Sequence, residues 1–190
     1  MEMEGSAAVP VGYRFEPTEK ELLQYLFHYT MGLPLPCKEI KTEDLYGEKE
    51  PWEIFGDQPE AEEGTAVKYF YSTLKRKRAA GARFEREVGK PAETTGDGDD
   101  DGSTTRKKKR MKSSRGQWHG QDSAQPIMDD GNGGAAAAVM GFKRSFVYKR
   151  EKSDQNGRWL LKEYFLNEVF PEFAGKKDFV LCRLKKKTKK

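Results

Sequence analysis

Only two cysteines, Cys37 and Cys182, and two histidines, His28 and His119, occur among the 190 residues. Two cysteines are too few for a secreted disulfide framework, and with the histidines far apart no zinc-ligand spacing arises. A reducing compartment is expected. Long hydrophobic runs are missing as well. The opening MEMEGSAAVP has no apolar core of signal-peptide length, and no stretch approaches the ~20 apolar residues that a membrane span needs. A soluble intracellular protein follows as the expectation, with no metal, no cofactor and no membrane partner. Nor do a nucleophile, a base and an orienting group recur at a plausible spacing, so neither an enzyme nor a small-molecule substrate is expected.

Hydrophobic residues make up only 35% of the chain, but aromatic residues reach 12% and gather towards its two ends, which implies one domain with a modest, aromatic-rich core. The net charge of +4 conceals segregation: an acidic block at residues 97–101, a basic block at 106–112 and another at 185–190. Polyanions are the first partners such blocks suggest, solvated tails the alternative. Arg106, Lys107, Lys108, Lys109, Arg110 and Lys112 have the composition of a nuclear import signal and equally of a nonspecific DNA-binding arm.

Along the chain, residues 11–15 alternate and end before Pro17, as a short extended segment would. Thr18-Glu19-Lys20-Glu21 is a capping box, in which the Thr18 hydroxyl accepts an orphan N–H and Glu21 reaches back to the Thr18 amide. The helix it starts carries Leu22, Leu23, Leu26, Phe27 and Tyr29 on one broad face and should stop at Gly32. Residues 40–46 suggest an extended piece, and Pro51-Trp52-Glu53-Ile54 the first turn of a short helix. The β-branched and aromatic run 67–71 reads as a strand. Residues 141–149 alternate with period two, and the turn Asp154-Gln155-Asn156-Gly157 leads to a partner strand at 158–166, which makes a hairpin. Residues 178–184 form a last apolar strand. One helix followed by aromatic strands in hairpins makes an α+β domain around a twisted antiparallel β-sheet.

Between two low-complexity tracts stands an island, residues 115–127, RGQWHGQDSAQPI. It is either a linker with one stray aromatic or a strand held out by ordered protein on both sides. Trp118 favours the strand, anchored by its ring in the core.

Several blocks, in order, resemble the NAC domain of plant transcription factors. VGYRFEPTEKELLQYL (11–26) is similar to that family's L-P-P-G-F-R-F-x-P-T-D-E-E-L, and IKTEDLYGEKEPWEIF (40–55) to its block with D-L-Y and P-W. VKYFYS (67–72) resembles E-W-Y-F-F-S, GFKRSFVYK and RWLLKEYFL resemble K-K-x-L-V-F-Y and W-x-M-H-E-Y-R-L, and DFVLCRLKKK (178–187) resembles D-W-V-L-C-R-I. The resemblance implies a NAC-like DNA-binding domain over 11–184, in which a twisted antiparallel β-sheet is packed between helical elements. It would follow a disordered N-terminus at 1–10, carry disordered insertions at 91–114 and 128–139, and end in a basic tail at 185–190.

It also implies a sequence-selective double-stranded DNA-binding transcription regulator in the nucleus, acting as a homodimer or as a heterodimer with NAC proteins. An Arg and a Glu seven residues apart pair between subunits in that family. Those positions are Arg14 and Glu21 here, and the interface competes with the capping box for one carboxylate. The island stands where the family has the DNA-contacting block R-A-T-G-x-G-Y-W-K-A-T-G-K-D. Gly116-Gln117-Trp118 matches G-Y-W, but His119, Gly120 and Gln121 replace K-A-T, and Asp122 and Ser123 replace G-K. Arg86 corresponds to the DNA-contacting arginine, ahead of Arg78 and Arg83. Lys149, Arg150 and Lys152 fall at a phosphate-contacting hairpin loop, or at a solvated tip. DNA contacts are thus expected at Arg86, Arg115, His119, Gln121, Lys143, Lys149, Arg150 and Lys152. Because the reader lacks its lysines, a second expectation stands beside the first: a dimerisation partner impaired in DNA binding that modulates other NAC proteins.

Overall fold

The structure, a computed structural model, describes residues 15–56, 67–77, 84–90, 115–129, 138–169 and 178–187. The extended segment at 11–14, Arg14, the tract at 91–114 and the basic run with Arg106, Lys107, Lys108, Lys109, Arg110 and Lys112 lie outside the described residues. Among those described, no helix is long and apolar enough to cross a membrane.

Helix α1, Glu19–Met31, begins at the expected box: Thr18 caps the Glu21 amide, and the Glu21 carboxylate accepts from both the amide (2.7 Å) and the hydroxyl (2.8 Å) of Thr18. Gly32, at φ 67°, closes it in the left-handed conformation that a side chain disfavours. Leu22, Leu23 and Leu26 are fully buried at helical spacing. They meet Tyr69, Tyr71, Tyr164 and Leu181 of the sheet, with Tyr29 stacked on Tyr71 at 4.2 Å.

The sheet contains β1 (Lys41–Thr42), β2 (Val67–Thr73), β3 (Glu87–Val88), β4 (Gly116–Gly120), β5 (Gln125–Asp129), β6 (Ala138–Lys149), β7 (Trp159–Leu166) and β8 (Phe179–Lys186). Their order is β1-β2-β8-β7-β6-β4-β3, with β5 also on β6. Strand alternation sends Phe70, Trp118, Tyr148, Trp159, Leu161 and Leu184 to the face opposite α1. There α2, Pro51–Phe55, covers them, with Phe55 edge-on to Trp159 at 5.2 Å and Trp52 edge-on to Tyr148 at 5.8 Å. Among the described residues the chain is therefore mainly a β-sheet, with one helix on each face.

Four expectations shift. The sheet is mixed, because β1 runs parallel to β2. The island is two strands, β4 and β5, laid end to end along β6 and separated at Gln121 to Ala124, where four residues face a two-residue gap in the β6 ladder. At the two ends of the insertion expected at 128–139, Met128↔Val139 and Asp129↔Ala138 are paired and continue the ladder past a bulge, while residues 130–137 lie outside the described residues. Finally, Lys185 and Lys186 belong to β8 and not to a tail, held there by pairing to Leu160 and Trp159.

The capping box sets a pH test. Hydrogen bonds from the Thr18 amide and hydroxyl hold the Glu21 carboxyl below its ordinary value. Its contribution is present above the unfolded carboxylate range and is lost as pH falls through the depressed folded value. Thr18→Ala is expected to cost about 1 kcal/mol in urea unfolding at neutral pH, and less at a pH where Glu21 is protonated.

Candidate nucleic-acid interface

β4 is built around Trp118. Its ring is buried, its Nε1 donates to the Leu45 carbonyl at 3.2 Å, and it packs edge-on to Tyr148 at 5.6 Å. Two residues earlier Gly116 lies so close to the Tyr148 ring that a Cβ would collide with it. With Trp118 turned inward, Gln117 and His119 point to the other face. β3 covers the outer edge only at Gln117 and Gly116, and the Trp118 amide donates to the Arg86 carbonyl at 2.9 Å. Beyond that point the edge is open among the described residues, and His119, Gly120 and Gln121 are exposed. The turn after it is pinned: the Gln121 amide donates to Ser145 O at 2.9 Å, and the Ser145 amide donates to Asp122 Oδ1 at 2.8 Å. Asp122 thus fills the backbone gap left between β4 and β5 while keeping a negative charge on the open edge.

Register assembles a second feature. The pairings His119↔Val147, Val147↔Leu160 and Leu160↔Lys185 make one row across the sheet, and Ser145↔Lys162 and Lys162↔Arg183 make the next. Gln117↔Lys149 lies in the row on the other side. Gln117, His119, Lys149, Lys162, Arg183 and Lys185 therefore share the α1-side face, beyond the part that α1 covers. Lys162 lies 4.0 Å from Glu19. Among the described residues, no carboxylate pairs with Lys149, Arg183 or Lys185. Four cations on one face, with a histidine and a glutamine of the open edge strand beside them, suit a polyanion.

The family model described as No apical meristem (NAM) protein matches residues 10–99 and 97–166 of this chain. The chain belongs to this NAC family. Over 192 residues it is 29% identical to NAC domain-containing protein 18 of Arabidopsis thaliana, covering 94% of this chain and 50% of that protein. It is also 30% identical to NAC transcription factor NAM-A1 of Triticum turgidum subsp. durum, over 98% of this chain and 44% of that protein. The chain spans about half the length of the curated relatives it matches.

Within this NAC domain the expected contact residues divide into two groups. His119, Gln121, Lys149 and Lys152 are exposed, the last in the left-handed conformation (φ 60°) at the hairpin turn. Arg115 stands 3.8 Å from Glu87 across the β3–β4 pair. The others are held by intramolecular partners. Lys143 donates to Glu19 of α1 at 2.7 and 2.8 Å, and Arg150 donates to Glu50, beside α2, at 2.6 Å. Glu21 serves the capping box, and its expected partner Arg14 lies outside the described residues.

Arg86 is the most enclosed of the expected contact residues. Its guanidinium is inside the protein, 13% exposed, with Nη2 donating to Glu163 Oε2 at 3.0 Å and faces of Tyr46 and Phe146 at 4.9 and 4.8 Å. The Tyr46 hydroxyl donates to the other Glu163 oxygen. Sequence reasoning missed this because Glu163 sits in an alternating strand whose inward positions are otherwise apolar. Lys162 and Arg183 were not singled out, and Lys185 was read as part of a basic tail, since only the cross-strand register reveals that they line up.

Burial pushes the Glu163 carboxyl up, against the opposing pull of Arg86 and the Tyr46 hydroxyl. Arg86→Met strands this acid, and about 3–5 kcal/mol of stability should be lost at neutral pH. A raised folded-state value means the deficit shrinks as pH is lowered and Glu163 takes up a proton. Urea unfolding across pH checks both, and adding Glu163→Leu should restore much of the loss.

Proposed function

We propose that this NAC domain is a sequence-selective double-stranded DNA-binding module of a nuclear transcription regulator, acting as a dimer through Arg14 and Glu21. The observation that carries this reading is the continuity of the cationic α1-side face with the open end of β4. Lys149, Arg183 and Lys185 take phosphates as fixed charges, while Gln121 offers the paired donor and acceptor that match an adenine edge, and His119 a further donor. The relatives named above carry the words NAC domain and transcription factor, which agrees with it. The basic run at 106–112 serves nuclear import.

A second reading is favoured by one specific feature. At the reader turn the expected lysines are absent, and Asp122 presents a negative charge to any phosphate nearby. On this reading the domain binds DNA only nonspecifically and acts as a dimerisation partner that modulates other NAC proteins.

A mobility-shift titration of the chain, alone and mixed with an ordinary family member at two salt concentrations, separates the two. Sequence-selective binding by the homodimer supports the first reading. Nonspecific binding alone, with loss of the partner's shift, supports the second. On the first reading, Lys149→Ala and Lys185→Ala each lower the slope of log affinity against log salt by about 0.9. Gln121→Ala costs about 1–3 kcal/mol and relaxes the preference at a single base pair. The dimer is tested separately by size-exclusion chromatography: Arg14→Glu should elute as a monomer, and an unchanged dimer would remove Arg14 from the interface.

A further inference from the structure

On the face opposite the cationic one, α2 covers only part of the sheet. Phe142 and Arg144 of β6 and Phe165 of β7 project there beyond the reach of α2, and with Leu74, Phe84 and Arg86 they wall a cleft of about 430 Å³. A neighbouring cleft of about 520 Å³ shares Phe84, Arg86 and Arg144 and runs to Asp122 and Ser123 of the β4–β5 turn. These volumes lie in the range of small-ligand sites.

The walls are aromatic and the polar groups are guanidinium. Phe142 and Phe165 stack at 5.6 Å with planes 21° apart, and the Arg144 guanidinium lies 5.4 Å from the Phe165 ring. Arg86 stands 5.8 Å from Phe84 and 4.8 Å from Phe146. Both arginines are thus held over rings, which fixes their planes. Their carboxylate supply is uneven. Glu163 is engaged by Arg86 and the Tyr46 hydroxyl, and the Asp122 carboxylate accepts from the Ser145 amide. Arg144 has no carboxylate within ion-pair distance among the described residues, and Arg86 keeps Nη1 buried without an acceptor.

We propose that this cleft binds a small planar aromatic carboxylate, with its ring against Phe84, Phe142 and Phe165 and its carboxylate on the Arg144 guanidinium. Two features select that class. A ring of one or two fused cycles fills an apolar slot of this size, and a monocarboxylate matches Arg144, which among the described residues lining the cleft is the arginine without an ion-pair partner. A polyphosphate fits poorly, because its several charges exceed what the one unpaired guanidinium of Arg144 offsets and the remaining walls are largely aromatic.

The test uses 2-naphthoate as probe and its uncharged amide, 2-naphthamide, as control, titrated into the full chain by isothermal calorimetry. The acid is expected to bind more tightly than the amide by roughly ten- to hundredfold, the range of a charge-assisted hydrogen bond. Arg144→Gln should abolish that preference while leaving the melting temperature near its original value, because Arg144 is exposed. As a second variant, Val169→Trp places bulk at the solvent-exposed rim and should weaken both probes. Equal binding of acid and amide, no binding of the acid at millimolar concentration, or an acid affinity unchanged in Arg144→Gln would each overturn the proposal. No DNA enters the measurement, so its failure leaves the reading of the opposite face standing.

Discussion

A single buried ion pair joins segments that are distant in sequence. Arg86 arrives just before the two-residue strand β3, Glu163 comes from the middle of β7, and Tyr46 reaches them from the loop ahead of α2. Burying two charges is expensive unless their remaining hydrogen-bonding capacity is met. Here the tyrosine hydroxyl and two aromatic faces supply most of what water would have supplied. Since the Arg86 carbonyl also receives the Trp118 amide, the same residue that neutralises Glu163 sets the height at which β4 meets the sheet. The position of the open edge thus follows from an interior electrostatic requirement.

That arrangement separates the two faces by chemistry. On the α1 side, helix and sheet share a tyrosine-rich core that stops short of the far end, and there the register gathers lysines and an arginine. On the α2 side, the tryptophans and Tyr148 pack around the short helix, and the uncovered end keeps phenylalanines and guanidinium groups. An extended polyanion and a compact aromatic anion would therefore meet different surfaces of one sheet, both adjoining the β4–β5 turn.

Much of this architecture was legible in the chain because the signals were local. The Thr18 box, the leucines of α1, the Gly32 stop and the Asn156-Gly157 hairpin each act within a few residues, and each appears where the pattern placed it. The anchoring of Trp118 was legible for a similar reason, since a large ring inside a polar tract has few other uses. What escaped was decided across the sheet. Two-residue β1 and β3 carry no periodicity of their own and exist through their partners. The enclosure of Arg86 could not be read from its neighbours in sequence, because the acid it pairs with lies 77 positions away. The cationic rows could be recognised only once β6, β7 and β8 had been aligned.

The break between β4 and β5 makes the open edge replaceable. Trp118 on one side and Ile127 on the other are buried anchors, and both strands hold their register on β6 independently of what lies between them. The intervening residues need supply only one backbone-like acceptor, which Asp122 provides from its side chain. Substitutions at Gln121, Ser123 and Ala124 can therefore alter the chemistry displayed at the tip while the sheet beneath keeps its geometry. Such a tip can carry different side chains on an unchanged scaffold, and in this chain it displays His119, Gln121 and Asp122.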